Sequence, residues 1–142
     1  MQFLKILTPV LVATIVAASA PSTALAQGAN DSVLTEMAQA FRKGARKKLS
    51  QLLPQARGHV LEPWAAYWEL KARLDEASPQ EVDAFLQRYA GTYQEDRLRN
   101  DWLLQLGKRR EWEAFAAHHA LFRMSDDREV RCYALLVDPL RG

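Results

Sequence analysis

Apolar residues recur along this chain at helical spacing, and the pattern restarts at regular intervals. Trp64, Tyr67, Trp68 and Lys71 fall at i, i+3, i+4 and i+7, with Leu74 one turn further. Val82, Phe85, Leu86 and Tyr89 repeat the stripe, and Leu98, Trp102 and Leu106 line the next run, with Arg97, Arg99, Asn100 and Asp101 largely on its other side. Trp112, Phe115, Ala116 and His119 line the one after. Each stripe is wide enough to bury against a neighbour and too polar opposite to be enclosed. Runs this short are unstable alone in water, so packing must supply their order.

The starts of these runs are marked by capping chemistry. Ser78-Pro79-Gln80-Glu81 places a Ser N-cap, Pro at the first helical position and Glu at N3. Thr92-Tyr93-Gln94-Glu95 repeats this box, and Asp126-Asp127-Arg128-Glu129 is an Asp version of it. Each such cap is worth on the order of 1 kcal/mol. Pro63 opens a further helix, and Glu111 opens another after Lys108-Arg109-Arg110 supplies cations suited to a helix C-terminus. Gly58, Gly91 and Gly107 read as breakers between the runs. Starts near 63, 79, 94, 111 and 127 recur about every sixteen residues, a helix pair every 31 to 33. That period predicts an all-α fold, a right-handed superhelix of short antiparallel helical hairpins of tetratricopeptide-like type. The last run, Val130 to Val137, has almost no polar face, whereas a solenoid ends on a capping helix with a polar outer surface. The expectation is an array truncated at its C-terminus.

The first stretch stands outside this rhythm. Met1-Gln2-Phe3-Leu4-Lys5 is a weakly basic start, Ile6 to Ala18 is apolar, and Ala24-Leu25-Ala26 supplies a small-x-small pattern. Residues 1–26 therefore read as a secretory signal peptide cleaved between Ala26 and Gln27, leaving 27–142 as one exported, periplasmic domain. The apolar part is short for a bilayer span, so no stable membrane anchor is expected after cleavage. The chain holds 19 basic and 17 acidic residues, and the signal takes only Lys5, so the mature balance is 18 − 17 = +1. Nucleic acid is not an expected partner at that charge. Cys132, the only cysteine, can form no internal disulfide and reads as a small buried hydrophobe.

Candidate chemistry is sparse. His118 and His119 are adjacent, about 100° apart on a helix, and cannot both ligate one ion; His59 sits beside Gly58 in a connection. Glu95 with Asp96, Glu111 with Glu113 and Asp126 with Asp127 crowd the first turns of helices, where the dipole and capping account for them. Four tryptophans in an exported chain could stack on sugar rings, yet their helical spacing favours core. Arg42, Lys43, Arg46, Lys47 and Lys48 around Gly44 form a basic run read as a solvated face of one helical segment. No phosphate loop, Ser/His/Asp arrangement or paired-cysteine motif is present, so no catalytic, cofactor-binding or metal-ligating residue is assigned and no cofactor is expected.

Leu61-Glu62-Pro63-Trp64-Ala65-Ala66-Tyr67-Trp68-Glu69-Leu70 resembles the superhelical N-terminal region of periplasmic soluble lytic murein transglycosylases. So do Phe85-Leu86-Gln87-Arg88-Tyr89, Asp96-Arg97-Leu98-Arg99-Asn100-Asp101-Trp102-Leu103, Gly107-Lys108-Arg109-Arg110-Glu111-Trp112 and Arg131-Cys132-Tyr133-Ala134, together spanning about residues 34–137. The resemblance implies a ring or horseshoe of helical hairpins carrying a C-terminal lysozyme-like domain, which cleaves the MurNAc–GlcNAc bond to a 1,6-anhydro end. The catalytic Glu-Ser motif of that domain has no counterpart here. This chain is then expected to be a non-catalytic scaffold portion whose partner is the peptidoglycan glycan strand. The alternative is a free-standing periplasmic helical-repeat adaptor that binds proteins. If Trp102 is core, Trp102→Ala should cost roughly 3–5 kcal/mol in a denaturant melt, and a loss below about 1 kcal/mol would remove it from the core.

Overall fold

Seven α-helices, with no strand among the described residues, make up the fold: α1 (Thr23–Arg42), α2 (Arg46–Leu52), α3 (Glu62–Ala72), α4 (Pro79–Arg88), α5 (Tyr93–Arg109), α6 (Trp112–His119) and α7 (Arg128–Val137). The computed structural model describes the backbone of residues 23–137 and the side chains of residues 31–137. Most of the expected signal segment lies outside the described residues; α1 begins at Thr23, ahead of the expected cleavage point. Helix starts at 46, 62, 79, 93, 112 and 128 are 16, 17, 14, 19 and 16 residues apart, so the rhythm is real and extends back to α2. No helix among the described residues is long and apolar enough to cross a membrane.

Local chemistry explains the starts. Ser78 caps α4 with a complete capping box: its Oγ accepts from the Glu81 amide at 3.2 Å, and the Glu81 carboxylate accepts from the Ser78 amide at 2.9 Å. At α5 only half the box forms. Thr92 Oγ1 accepts from the Glu95 amide, but the Glu95 carboxylate turns to the amide of Gly91, one residue upstream of the cap. The cap of α7 is Asp127, one position later than Asp126, and its Oδ1 accepts from the amides of Glu129 and Val130. The basic run is not one segment. Gly44, in the left-handed region at φ 64°, breaks it between Arg42 at the end of α1 and Arg46 at the start of α2.

The odd-numbered helices pack in succession, α1 on α3, α3 on α5 and α5 on α7. The others lie against them: α2 on α1 and α3, α4 on α5, and α6 on α5 and α7. The larger core gathers Leu70, Val82, Leu98, Trp102, Phe115 and Val130; a smaller one joins Leu34, Met37 and Leu49 to Ala65 of α3. Leu53 and Trp68 touch both, so the two cores are continuous. Trp102 is only 1% exposed, at the centre of the larger one. Trp64, Trp68 and Trp112 are half-buried at its margin instead of inside it.

Three further expectations are corrected. Arg99, Asn100 and Asp101 are buried, because α3, α4, α6 and α7 all pack on α5 and cover these positions. Cys132 is exposed, and so are Leu135 and Leu136: α7 turns Val130 and Val137 inward and presents these three outward. Gly107 is no breaker. It lies inside α5, which runs on to Arg109 and ends at Arg110 in the left-handed conformation, φ 58°.

Gly107 marks a close approach. A Cβ there would overlap the ring of Tyr133 on α7, so the missing side chain sets the distance between α5 and α7. Gly107→Ala should therefore destabilise the fold by roughly 1–3 kcal/mol despite alanine's better helix propensity. Tyr133→Ala should recover part of that loss in the double variant; simple additivity in thermal melts would show that the contact does not set the spacing.

Candidate functional site

Successive odd-numbered helices carry aromatic side chains that meet in a row. Phe41 of α1 stacks on Trp68 of α3 at a centroid distance of 6.3 Å, Trp68 lies 5.9 Å from Trp64, and Trp64 lies 5.7 Å from Tyr93 of α5. Phe41, Trp64 and Trp68 are half-buried, and Tyr93 is 54% exposed. The row is thus anchored in the core on one side and open to solvent on the other. Trp64 and Trp68 share a face through their i, i+4 spacing, but Phe41 and Tyr93 join them only because α1, α3 and α5 pack side by side.

Polar groups flank the row. Asp101 of α5 is buried and accepts from the Tyr67 hydroxyl at 2.8 Å and pairs with Lys71 Nζ at 2.6 Å. Burial, then the Asp101 charge, push the Tyr67 hydroxyl far above its ordinary value, so it stays a donor. Arg97, half-buried, adjoins Tyr67, Asp101 and Tyr93, which hold its guanidinium charged. Aromatic faces beside fixed charges can take the apolar face of a sugar ring and hydrogen-bond its rim. Sequence reasoning missed Arg97, Asp101 and Tyr93 in this setting. Each looks like an ordinary surface residue until α3 is placed beside α5.

The other candidates fall into structural roles. Glu95 accepts from the Gly91 amide at 2.9 Å, Arg99 at 2.6 Å and Arg123 at 2.9 Å; burial opposes its ionisation, but these donors outweigh it and hold Glu95 below the ordinary carboxylate range. Asp96 accepts from the Arg123 and Met124 amides and fixes the connection from α6 to α7. Glu111 and Glu113 are exposed near the start of α6. His59 is held by Asp31 at 2.8 Å and by the Leu61 amide, while His119 stacks on Phe115. No group of three or more potential metal ligands gathers among the described residues. Arg46 pairs with Asp75 and Glu76, and Lys48 with Glu36, so two of the five basic residues sit in surface ion pairs.

A groove of about 280 Å³ opens on the other side of α3, between it and α4. These two helices follow one another in sequence, yet both lean on α5 and are not a closely packed pair. Ion pairs close its ends: Arg73 joins Glu69 and Glu81, and Arg88 joins Glu62, each at 2.7 to 2.8 Å.

No family model, curated protein or solved structure matches the chain.

His118 sits where α4, α5 and α6 meet, with Asp83 at 3.8 Å, Arg99 at 3.5 Å and the Trp102 ring edge-on at 6.5 Å. Burial lowers its basicity below the ordinary value; Asp83 opposes this and Arg99 adds to it. The unfolded chain therefore binds a proton here that the folded one resists, and stability should decline as pH falls below about 6.5. A second decline should follow as pH drops below about 4.5, when Glu62, Glu81 and Glu95, all held below their ordinary value, begin to lose their partners. His118→Gln should flatten the first decline and leave the second in melts taken across this range. An unchanged first decline would assign it to another group.

Proposed function

We propose that this chain is the exported N-terminal scaffold portion of a soluble lytic murein transglycosylase, a superhelix of stacked hairpins that holds peptidoglycan strands while a lysozyme-like domain cuts them. The row Phe41–Trp68–Trp64–Tyr93 carries this reading: a solvent-facing aromatic track crossing three helices suits a ligand built of repeating sugar rings. The family resemblance of Leu61 to Leu70 covers the helix at its centre, and the pairing of α1 with α2 and of α5 with α6, with α3 between α1 and α5, supports stacked helical hairpins in part. Residues 1–26, with their Ala24-Leu25-Ala26 pattern, support export to the periplasm. On this reading the carboxylates of α4 and α5 serve the scaffold, and bond cleavage is not performed by them. The adaptor alternative draws on Leu135 and Leu136, 71% and 56% exposed on α7, which suit a protein partner.

Co-sedimentation of the purified protein with isolated murein sacculi tests the proposal. The protein should pellet with sacculi, Tyr93→Ala should weaken binding at least threefold with little change in melting temperature, and Trp64→Ala with Tyr93→Ala should weaken it further. No clearing is expected in a peptidoglycan gel. Failure to pellet, or pelleting indifferent to Tyr93, would sink the glycan reading; clearing by this chain would overturn its non-catalytic role.

A further inference from the structure

The groove between α3 and α4 has a composition that its structural role does not require. Its floor is apolar, formed by Leu53, Ala66, Leu70 and Phe85. At one end every donor of consequence is engaged, because Arg73 gives Nε and Nη2 to Glu69 and Nη1 to Glu81. The other end differs. Glu62 accepts from the Gly58 amide, Arg88 Nη2 and the Tyr89 hydroxyl, all within 2.9 Å. Arg88 directs Nε to Tyr89 and keeps Nη1 unengaged among the described residues. Arg57, next to the Gly58 amide that holds Glu62, also lines the groove and forms no hydrogen bond or ion pair among the described residues. Arg57 and Arg88 thus both line the slot at its Glu62 end, each with donors to spare.

That arrangement complements a carboxylate attached to an aliphatic group. Glu62 and Arg73 bound the groove along α3, eleven residues apart or roughly 16 Å at the helical rise, the length of about five extended residues. The volume of about 280 Å³ sits at the small end for a ligand site, so it suits a chain terminus better than a folded partner. We infer that the groove receives the C-terminal end of a peptide, its carboxylate on Arg57 and Arg88 and its last aliphatic side chain on the floor formed by Leu53, Ala66, Leu70 and Phe85. Guanidinium forks favour carboxylates by paired hydrogen bonds, and the apolar floor selects the side chain beside them.

This inference does not depend on the glycan reading. On α3, Glu62, Ala66, Glu69 and Arg73 lie opposite Trp64, Trp68 and Lys71 at 100° per residue, so ligand at one face leaves the other open.

The test is a titration of isotopically labelled protein, followed by amide NMR shifts, with N-acetyl-dileucine as the free acid, the same compound as its amide, and free leucine. The acid should shift the Ala66 and Phe85 signals, with the amide and free leucine at least tenfold weaker. Arg57→Gln should reduce the acid to the level of the amide without moving the melting temperature. Ala84, exposed on α4 and lining the groove, offers the block: Ala84→Trp should abolish binding of every probe. If that variant melts early, Ala84→Leu replaces it and should weaken the acid at least fivefold. Equal binding of acid and amide, binding of free leucine as tight as the peptide, no binding of the acid, or indifference to both Ala84 variants would each overturn the assignment.

Discussion

Four of the other helices, α3, α4, α6 and α7, pack on α5, a helix that buries Glu95, Asp96, Arg99, Asn100 and Asp101. A buried charge is tolerable only when it is paired and hydrogen-bonded, so each of these groups fixes what lies against it. Asp101 holds Tyr67 and Lys71 of α3. Asp96 takes the amides of Arg123 and Met124, which orients the connection into α7, and Asn100 donates to Asp127, the cap of α7. Glu95 ties the Gly91 turn that follows α4 to Arg99 and Arg123. The apolar core would allow several registers of one helix against the next; these directional bonds allow far fewer.

Both candidate surfaces follow from that arrangement. Because α3 and α4 are each held against α5, the space between them stays open as a groove and is bridged at its ends by arginine pairs and by the Tyr89 hydroxyl on Glu62. Because α1, α3 and α5 lie side by side, aromatic residues that sequence places far apart form one track. α3 therefore serves two faces at once, with tryptophans on one and the groove's carboxylates and apolar floor on the other. A helix in that position cannot carry a single apolar stripe, which is why Trp64 and Trp68 lie at the margin of the core while Ala66 and Leu70 lie within it.

What the chain discloses on reading depends on how local the cause is. The Ser78 cap involves four consecutive residues and was legible in full. The caps at Thr92 and Asp127 were legible in kind, but their partners shifted by one residue, because Glu95 meets Gly91 and Asn100 reaches Asp127 across the fold. Asp101 and Arg99 resemble solvated residues in any single-helix projection, and only the helices packed on α5 bury them. Gly107 looks like a terminator until Tyr133 is seen to occupy the space of its side chain. The aromatic track was half legible, through the spacing of Trp64 and Trp68, and the groove was not legible at all. Its existence depends on two helices failing to pack, which no local pattern encodes.

The carboxylates argue about chemistry as well as structure. A group that protonates a leaving oxygen must hold its proton near neutral pH, which needs an environment that raises its pKa. Glu62, Glu81, Glu95 and Asp127 are each shifted the other way: burial opposes ionisation at Glu62, Glu95 and Asp127, but arginines, backbone amides and Asn100 outweigh it, and at Glu81 the Ser78 amide and Arg73 dominate. These four are committed anions, good at fixing helices and poor as general acids. The same donors that lower the carboxylates keep α3, α5 and α7 in place, and the track and the groove inherit their geometry from that.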